Sequence, residues 1–188
     1  MEQTLWKFRD LETERFLLRK MTINDAGDMF DYFSNDEVTK YYDLDTFTSI
    51  SQAVELIERM NERLDSGTGI RWGIIVKETN RLIGSCGYHS IEIEHLKAEI
   101  GYEINPAYWG RGVMTEILPA VVEFAFNEMH LNRIEAMFHP DNIGSKKVLK
   151  KVGFQQEGIL RERYFHKQSL TDIIIVSLLK REWKPSFL

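Results

Sequence analysis

Residues 99–115 read EIGYEINPAYWGRGVMT, and this stretch decides the fold. Alternating apolar and polar residues predict a strand over residues 97–104, which ends at an Asn-Pro turn. Gly110 and Gly112 then precede a long apolar helix. Because the first N–H groups of a helix have no acceptor within it, this turn is suited to hold phosphate oxygens. A lone Gly-x-Gly is more often a tight turn, and the Gly-Lys-Ser/Thr ending of a nucleotide loop is missing here.

A second informative segment, HPDNIGSKKVLKKVGF, occupies residues 139–154. It predicts the end of a strand over 133–139 and a short helix over 143–152 that Gly153 closes. Asn142 and Ser145 therefore lie at the start of this helix. Its four lysines form the densest positive patch of a chain whose net charge is -5: Lys146, Lys147, Lys150 and Lys151. They are either a solvated helix face or, with Arg111, an attraction for phosphates.

Together the two segments resemble the GNAT superfamily of acyl-CoA-dependent N-acetyltransferases, and more narrowly its ribosomal-protein branch, the RimJ/RimL type. The similarity extends over nearly the whole chain, from LETERFLLRKM at 11–21 to EGILRE at 157–162. It implies a single N-acetyltransferase domain over residues 1–188. The implied fold class is α+β, a mixed, mostly antiparallel sheet flanked by helices. The sheet is splayed into a V that holds the pantetheine arm between the fourth and fifth predicted strands.

The remaining patterns agree with one α+β domain, the expected size for 188 residues. A helix is predicted from Asn24 or Asp25 to Phe33, and an amphipathic helix over 50–64 stops near Gly67. The helix after Gly112 is predicted to reach residue 129. Pro119 predicts either a kink in it or a start nearer Thr115. The other predicted strands cover residues 14–21, 71–77, 82–92, 155–164 and 171–179.

The resemblance implies acetyl-CoA as co-substrate and implies its binding residues. These are expected to be Tyr102, Ile104, Trp109, Gly110, Arg111, Gly112, Val113, Met114, Thr115, Asn142, Ser145 and Lys147. Met114 stands where relatives commonly have Gly or Ala, and its size bears on how closely the backbone can approach the pyrophosphate. No metal is expected, because the five histidines are scattered without a His-x-x-x-His pair.

Transfer of an acetyl group requires a neutral amine, so some base must accept a proton. Glu99 and Glu103 share one face of the predicted strand, about 6.5 to 7 Å apart. Either carboxylate could act directly or through water, whereas charged residues on a half-exposed strand are commonly only solvated. A β-bulge expected here would leave the N–H groups near Tyr102 and Ile104 unpaired, as donors to an oxyanion.

The thiolate that leaves also needs a proton donor. Many relatives use a tyrosine at the position of Leu149, and in the resembling branch the serine that matches Ser145 is the candidate for this role. Ser145 as a helix cap is the competing interpretation. A covalent route through Cys86 and His89 is not favoured, because their odd spacing on a strand sends them to opposite faces.

The expected reaction is direct transfer of acetyl from acetyl-CoA to a primary amine, on a small molecule or on a peptide. A protein N-terminal α-amine, such as that of a ribosomal protein, is among the acceptors. The competing hypothesis is a non-catalytic acyl-CoA sensor or interaction module on the same fold.

Composition limits the partners and the compartment. One cysteine, a polar start and a longest apolar stretch of only Ile173 to Val176 indicate a cytoplasmic protein without a membrane partner. The acidic balance argues against nucleic acid. A monomer or a homodimer is expected.

Overall fold

The computed structural model describes residues 6–42, 44–166 and 168–184. Its centre is one eight-stranded sheet of order β1-β2-β3-β4-β5-β6-β8-β7. The strands are β1 Leu11–Glu12, β2 Phe16–Arg19, β3 Ile70–Val76, β4 Arg81–Glu92, β5 Lys97–Ile104, β6 Arg133–Phe138, β7 Gln155–His166 and β8 Ser169–Leu179. The helices are α1 Ala26–Phe33, α2 Asp36–Thr39, α3 Ile50–Asp65, α4 Val113–Asn127 and α5 Ile143–Val152. Among the strands of the described residues, only β5 and β6 pair in parallel, so the predicted mixed, mostly antiparallel sheet is confirmed.

The parallel pair separates soon after it begins. Three registered positions join β5 to β6, from Lys97 opposite Arg133 to Glu99 opposite Glu135. Both strands continue beyond that point, β5 to Ile104 and β6 to Phe138. The sheet therefore opens between them, and the free edge of β5 faces a gap.

Apolar side chains cover both faces of the sheet. On one face α4 buries Ile117, Val121 and Phe124 against a cluster that includes Trp72. On the other face α1 and α3 bury Met29 and Ile57 together with their neighbours. Side chains of this size contribute about 1.5 to 3 kcal/mol each when fully buried. Within the described ranges, no helix combines the length and the apolar character needed to cross a membrane.

Two local predictions are wrong. Helix α4 begins at Val113 with Pro119 inside it, so the start nearer Thr115 is wrong, whereas the kink at Pro119 stays a prediction. The bulge lies in β4 rather than in β5: the four residues from His89 to Glu92 stand opposite the three from Lys97 to Glu99. The β5 register against β4 is unbroken from Glu99 to Ile104. The left-handed backbone of Ser90, φ 51°, fits an extra residue on the β4 side.

Candidate active site

A cleft of about 590 Å³ occupies the gap between β5 and β6. Its walls come from α3, the β4 and β5 strands, β6 and the start of α5. Among the lining residues are Tyr42, Arg59, Arg63, Arg71, His89, Glu99, Tyr102, His139, Asn142, Ser145 and Leu149. The splayed sheet thus places two predicted groups, the Glu99 carboxylate and the Asn142/Ser145 pair, on one cavity.

The turn before α4 has the geometry of an anion cradle. Gly110 and Gly112 both adopt a left-handed backbone conformation, with φ 72° and 74°, which residues other than glycine rarely adopt. The first helical hydrogen bond is donated by Glu116 to the Gly112 carbonyl. The N–H groups of the three residues before it, Val113 to Thr115, therefore lack a helical acceptor. A Cβ built on Gly110 would meet no atom within 4 Å, so the turn leaves room for a ligand.

Met114 does not restrict that cradle through its side chain. The side chain is 4% exposed and belongs to the core beneath α4. Only the Met114 backbone is left to approach a phosphate, and a residue larger than Gly or Ala is tolerated there.

The turn is fixed by contacts that the sequence did not reveal. Arg15 on the loop before β2 forms an ion pair with Glu116 at 2.6 Å. It also donates to the Arg111 carbonyl at 3.2 Å. Trp109 donates its indole N–H to the Ile104 carbonyl at 2.9 Å, which ties the turn to the end of β5. The Arg111 guanidinium stays exposed over the Tyr108 ring, 5.6 Å from its centre.

The open edge of β5 presents backbone donors to the gap. Asn105 donates its N–H to Ile83 on the β4 side, at 2.7 Å. Since backbone groups alternate along a strand, the N–H groups of Ile104 and Tyr102 point the other way. They face the gap because β6 has diverged, and not because of a bulge.

Ser145 is not the cap of α5. Asn142 occupies the cap position, and its side-chain oxygen accepts the Ser145 N–H at 3.0 Å. The Ser145 hydroxyl lies 2.8 Å from the Tyr102 hydroxyl. Burial is the main cause that raises the pKa of Tyr102. Leu149 lines the same cleft, while Lys147 is exposed on the outer face of α5.

The two glutamates have different surroundings. Glu99 lines the cleft with its side chain 15% exposed, and His89 Nε2 lies 3.3 Å from its Oε1. Glu103 is 4% exposed and forms an ion pair with Arg71. Gly101 lies between them on β5. A Cβ added at this position would lie 3.2 Å from Arg71 Nη1 and 3.3 Å from His89 Cε1.

Glu103 is enclosed by donors on several elements. Ser85 donates to it from β4, and the Tyr32 and Tyr42 hydroxyls donate at 3.4 and 3.1 Å. Burial, and then the Glu103 charge, raise the pKa of Tyr32. Burial is the largest single influence on Arg71 and opposes its charge, but the Glu103 carboxylate and the neighbouring groups together outweigh burial, so the pKa of Arg71 is raised. Both carboxylate oxygens of Glu103 are thus occupied by partners from the protein itself.

Cys86 is fully buried, as expected for a structural cysteine. Burial is the main cause that raises the pKa of its thiol to about 12. At neutral pH the thiol is therefore protonated and a poor nucleophile.

Comparisons with known proteins agree with the fold. The family described as "Acetyltransferase (GNAT) domain" matches residues 15–155. An uncharacterized N-acetyltransferase, p20, of Bacillus licheniformis is 43% identical over 92% of this chain and 97% of its own length. A crystal structure of a GNAT-family acetyltransferase from Bacillus anthracis has a TM-score of 0.83 at 27% identity, covering 93% of this chain and all of that one. A more distant relative, the ribosomal protein uS5 alanine N-acetyltransferase of Escherichia coli (strain K12), is 25% identical over 93% of each chain.

The chain therefore belongs to the GNAT acetyltransferase family. It is an enzyme, an acyl-CoA-dependent N-acetyltransferase that uses acetyl-CoA and an amine acceptor. The N–H groups at the start of α4 fit the phosphates of that co-substrate, and the cleft between β5 and β6 fits its narrow pantetheine chain.

Proposed function

We propose that this enzyme acetylates a primary amine by direct transfer, with Glu99 as the base and Ser145 as the proton donor to the sulfur. The observation that carries the proposal is the contrast between the glutamates. Glu99 faces the cleft with one neighbouring imidazole, whereas Glu103 is buried against Arg71. A base must reach the proton it removes, directly or through one water. Glu99 meets that requirement, and Glu103 contributes to the structure.

The co-substrate supplies an activated acetyl thioester, and the chain holds and polarises it. The N–H groups of Val113, Met114 and Thr115 would bind its diphosphate, with Arg111 and Lys147 adding positive charge. The N–H groups of Tyr102 and Ile104 would donate to the carbonyl oxygen as charge develops on it. Glu99 would remove a proton from the amine, which otherwise stays largely charged at neutral pH. The remaining predicted contacts, Trp109, Gly110 and Asn142, would shape the ends of the binding path.

Ser145→Ala is expected to lower turnover about tenfold with little change in melting temperature. The reason is that Asn142, not Ser145, caps α5, and that Tyr102 can donate its hydroxyl proton to Ser145, which leaves the serine proton for the sulfur. The thiol of CoA resembles that of cysteine, whose pKa is about 8.5, so a proton donor assists departure of the CoA thiolate without being indispensable. Stopped-flow thiol release and a thermal melt measure the two quantities. Near-normal turnover together with a lower melting temperature would assign Ser145 to structure alone.

Gly112→Asp is expected to weaken acetyl-CoA binding at least tenfold, about 1.4 kcal/mol. The aspartate would place a side chain and a negative charge beside the N–H groups proposed for the diphosphate. Gly112→Asn is the matched control, because it adds a similar side chain at the same left-handed φ without the charge. Calorimetry should show a clearly larger loss for the aspartate. Equal affinity of both variants and the original protein would show that the diphosphate binds elsewhere.

The acceptor we propose is an α-amine, either of a protein N terminus or of a small molecule. The name of the uS5 alanine N-acetyltransferase relative supports a ribosomal-protein acceptor. We further propose one domain over residues 1–188 and a cytoplasmic location, in keeping with the single cysteine.

The proposed function is tested by acetyl-CoA thiol release with a panel of peptides and small amines, each product weighed by mass spectrometry. A mass increase of one acetyl group on an amine supports direct transfer. Tight acetyl-CoA binding without thiol release on the whole panel would instead identify a sensor.

A further inference from the structure

Two arginines of α3 face the cleft from its wall. Arg59 and Arg63 are four residues apart, so they lie one above the other on the same helix face. Both are exposed and both line the cleft. Ala53 and Ile57 are buried on the neighbouring face of α3, and Leu56, three residues before Arg59, is buried where it lines the same cleft, which fixes the orientation of the helix.

Neither guanidinium is neutralised by the part of the chain that the structure describes. Arg71, which lines the same cleft, is paired with Glu103. No acidic side chain among the described residues forms an ion pair with Arg59 or Arg63. The same helix carries Glu55, Glu58, Glu62 and Asp65, but none of these four lines the cleft, so α3 presents only positive charge to it on a chain of net charge -5.

The Cβ of Arg63 lies close to β4, the strand that carries His89, and His89 is the neighbour of the proposed base Glu99. The position where Gly69 would bear a Cβ is 3.3 Å from the Arg63 Cβ and 3.2 Å from the Tyr88 carbonyl oxygen. Tyr88 directly precedes His89, whose imidazole contacts Glu99. The start of the Arg63 side chain is thus near β4, and Arg59, Arg63 and Glu99 line one cleft.

We propose that the acceptor carries a carboxylate close to its amine, and that Arg59 and Arg63 bind this carboxylate while Glu99 faces the amine. This inference rests on the proposed amine acetylation. A guanidinium binds a carboxylate with two parallel hydrogen bonds, so the pair selects both charge and shape. A purely cationic acceptor would be repelled by the α3 wall. An acceptor with both charges matches the two sides of the cleft.

Two sources supply such a carboxylate, and the acceptors distinguish them. One is the α-carboxylate of a free amino acid, compared with the corresponding amino-acid amide. The other is an acidic side chain just after a peptide N terminus, tested with SDDAAA against SNNAAA peptides. The proposal requires at least a tenfold higher kcat/KM for the acidic member of one pair, with a decrease as the ionic strength is raised.

The arginines themselves are tested by Arg59→Gln and Arg63→Gln. Each variant should lower kcat/KM for the preferred acidic acceptor at least tenfold more than for its neutral partner. Arg181→Gln is the control: it removes the same charge from an exposed residue that does not line the cleft. Turnover with equal rates on acidic and neutral acceptors, or equal losses on both in the α3 variants, would overturn the inference and leave the acetylation intact.

Absence of thiol release with every acceptor would instead contradict the proposed function. Calorimetry of the SDDAAA peptide with the CoA-loaded enzyme then decides the inference separately. Binding that disappears in Arg63→Gln but persists in Arg181→Gln supports the carboxylate site, and absence of binding to the original protein by both this peptide and the free amino acids overturns it.

Discussion

Glu99→Gln is expected to reduce kcat by about 10²- to 10⁴-fold, the range for loss of a general base. Glutamine keeps the size of the side chain but cannot accept the amine proton. Glu99 is placed for this role by the separation of β5 and β6, which exposes it to the cleft at the last paired position of the two strands. Steady-state thiol release over a range of pH measures the effect, and the decline of kcat toward low pH should disappear in the variant.

Binding provides the control for this variant. Acetyl-CoA affinity should be unchanged, because the proposed diphosphate site at the start of α4 is formed by other residues. Glu135→Gln is a matched carboxylate replacement, since Glu135 stands opposite Glu99 on β6 and pairs with Arg133 at 2.6 Å. It should leave kcat within a few-fold of the original. Full turnover in Glu99→Gln would show that Glu99 is not the base, and the role would then pass to a chain of waters.

The sequence was most informative where local pattern and fold agree. Strand β5 and helix α5 have the predicted bounds, and Gly153 closes α5 in left-handed backbone with φ 112°. These elements carry strong local signals: alternation that ends at Asn-Pro, and a glycine after an amphipathic helix. Short elements without such signals were missed, namely β1 and α2.

The site was predictable in its residue types more than in its partners. Alternation placed Glu99 and Glu103 on one face, but only the tertiary structure shows that Glu103 forms an ion pair with Arg71. Arg71 is 32 positions away on another strand, and no local pattern records such a pair. The Tyr102 to Ser145 contact is likewise formed between β5 and α5 across the gap. The predicted bulge in β5 is absent. The N–H groups that the bulge was expected to free are instead free because β6 diverges from β5.

Glu103→Gln is expected to lower the free energy of unfolding by about 3 to 5 kcal/mol, because it leaves the Arg71 charge buried without its partner. Glu103 is only 4% exposed and Arg71 11%, so water cannot replace the lost carboxylate. The variant also weakens acceptors for Tyr32 and Tyr42, which join the α1 region to the sheet. Urea unfolding followed by fluorescence measures the change.

A double variant, Arg71→Met with Glu103→Met, removes both charges and separates the cost of an orphaned charge from the worth of the pair. It should be closer in stability to the original protein than Glu103→Gln is, because burial of two apolar side chains avoids the desolvation penalty. Folded Glu103→Gln should keep kcat within a few-fold, in contrast to Glu99→Gln. A destabilisation below about 1 kcal/mol, combined with a large fall in kcat, would reverse the roles given to the two glutamates.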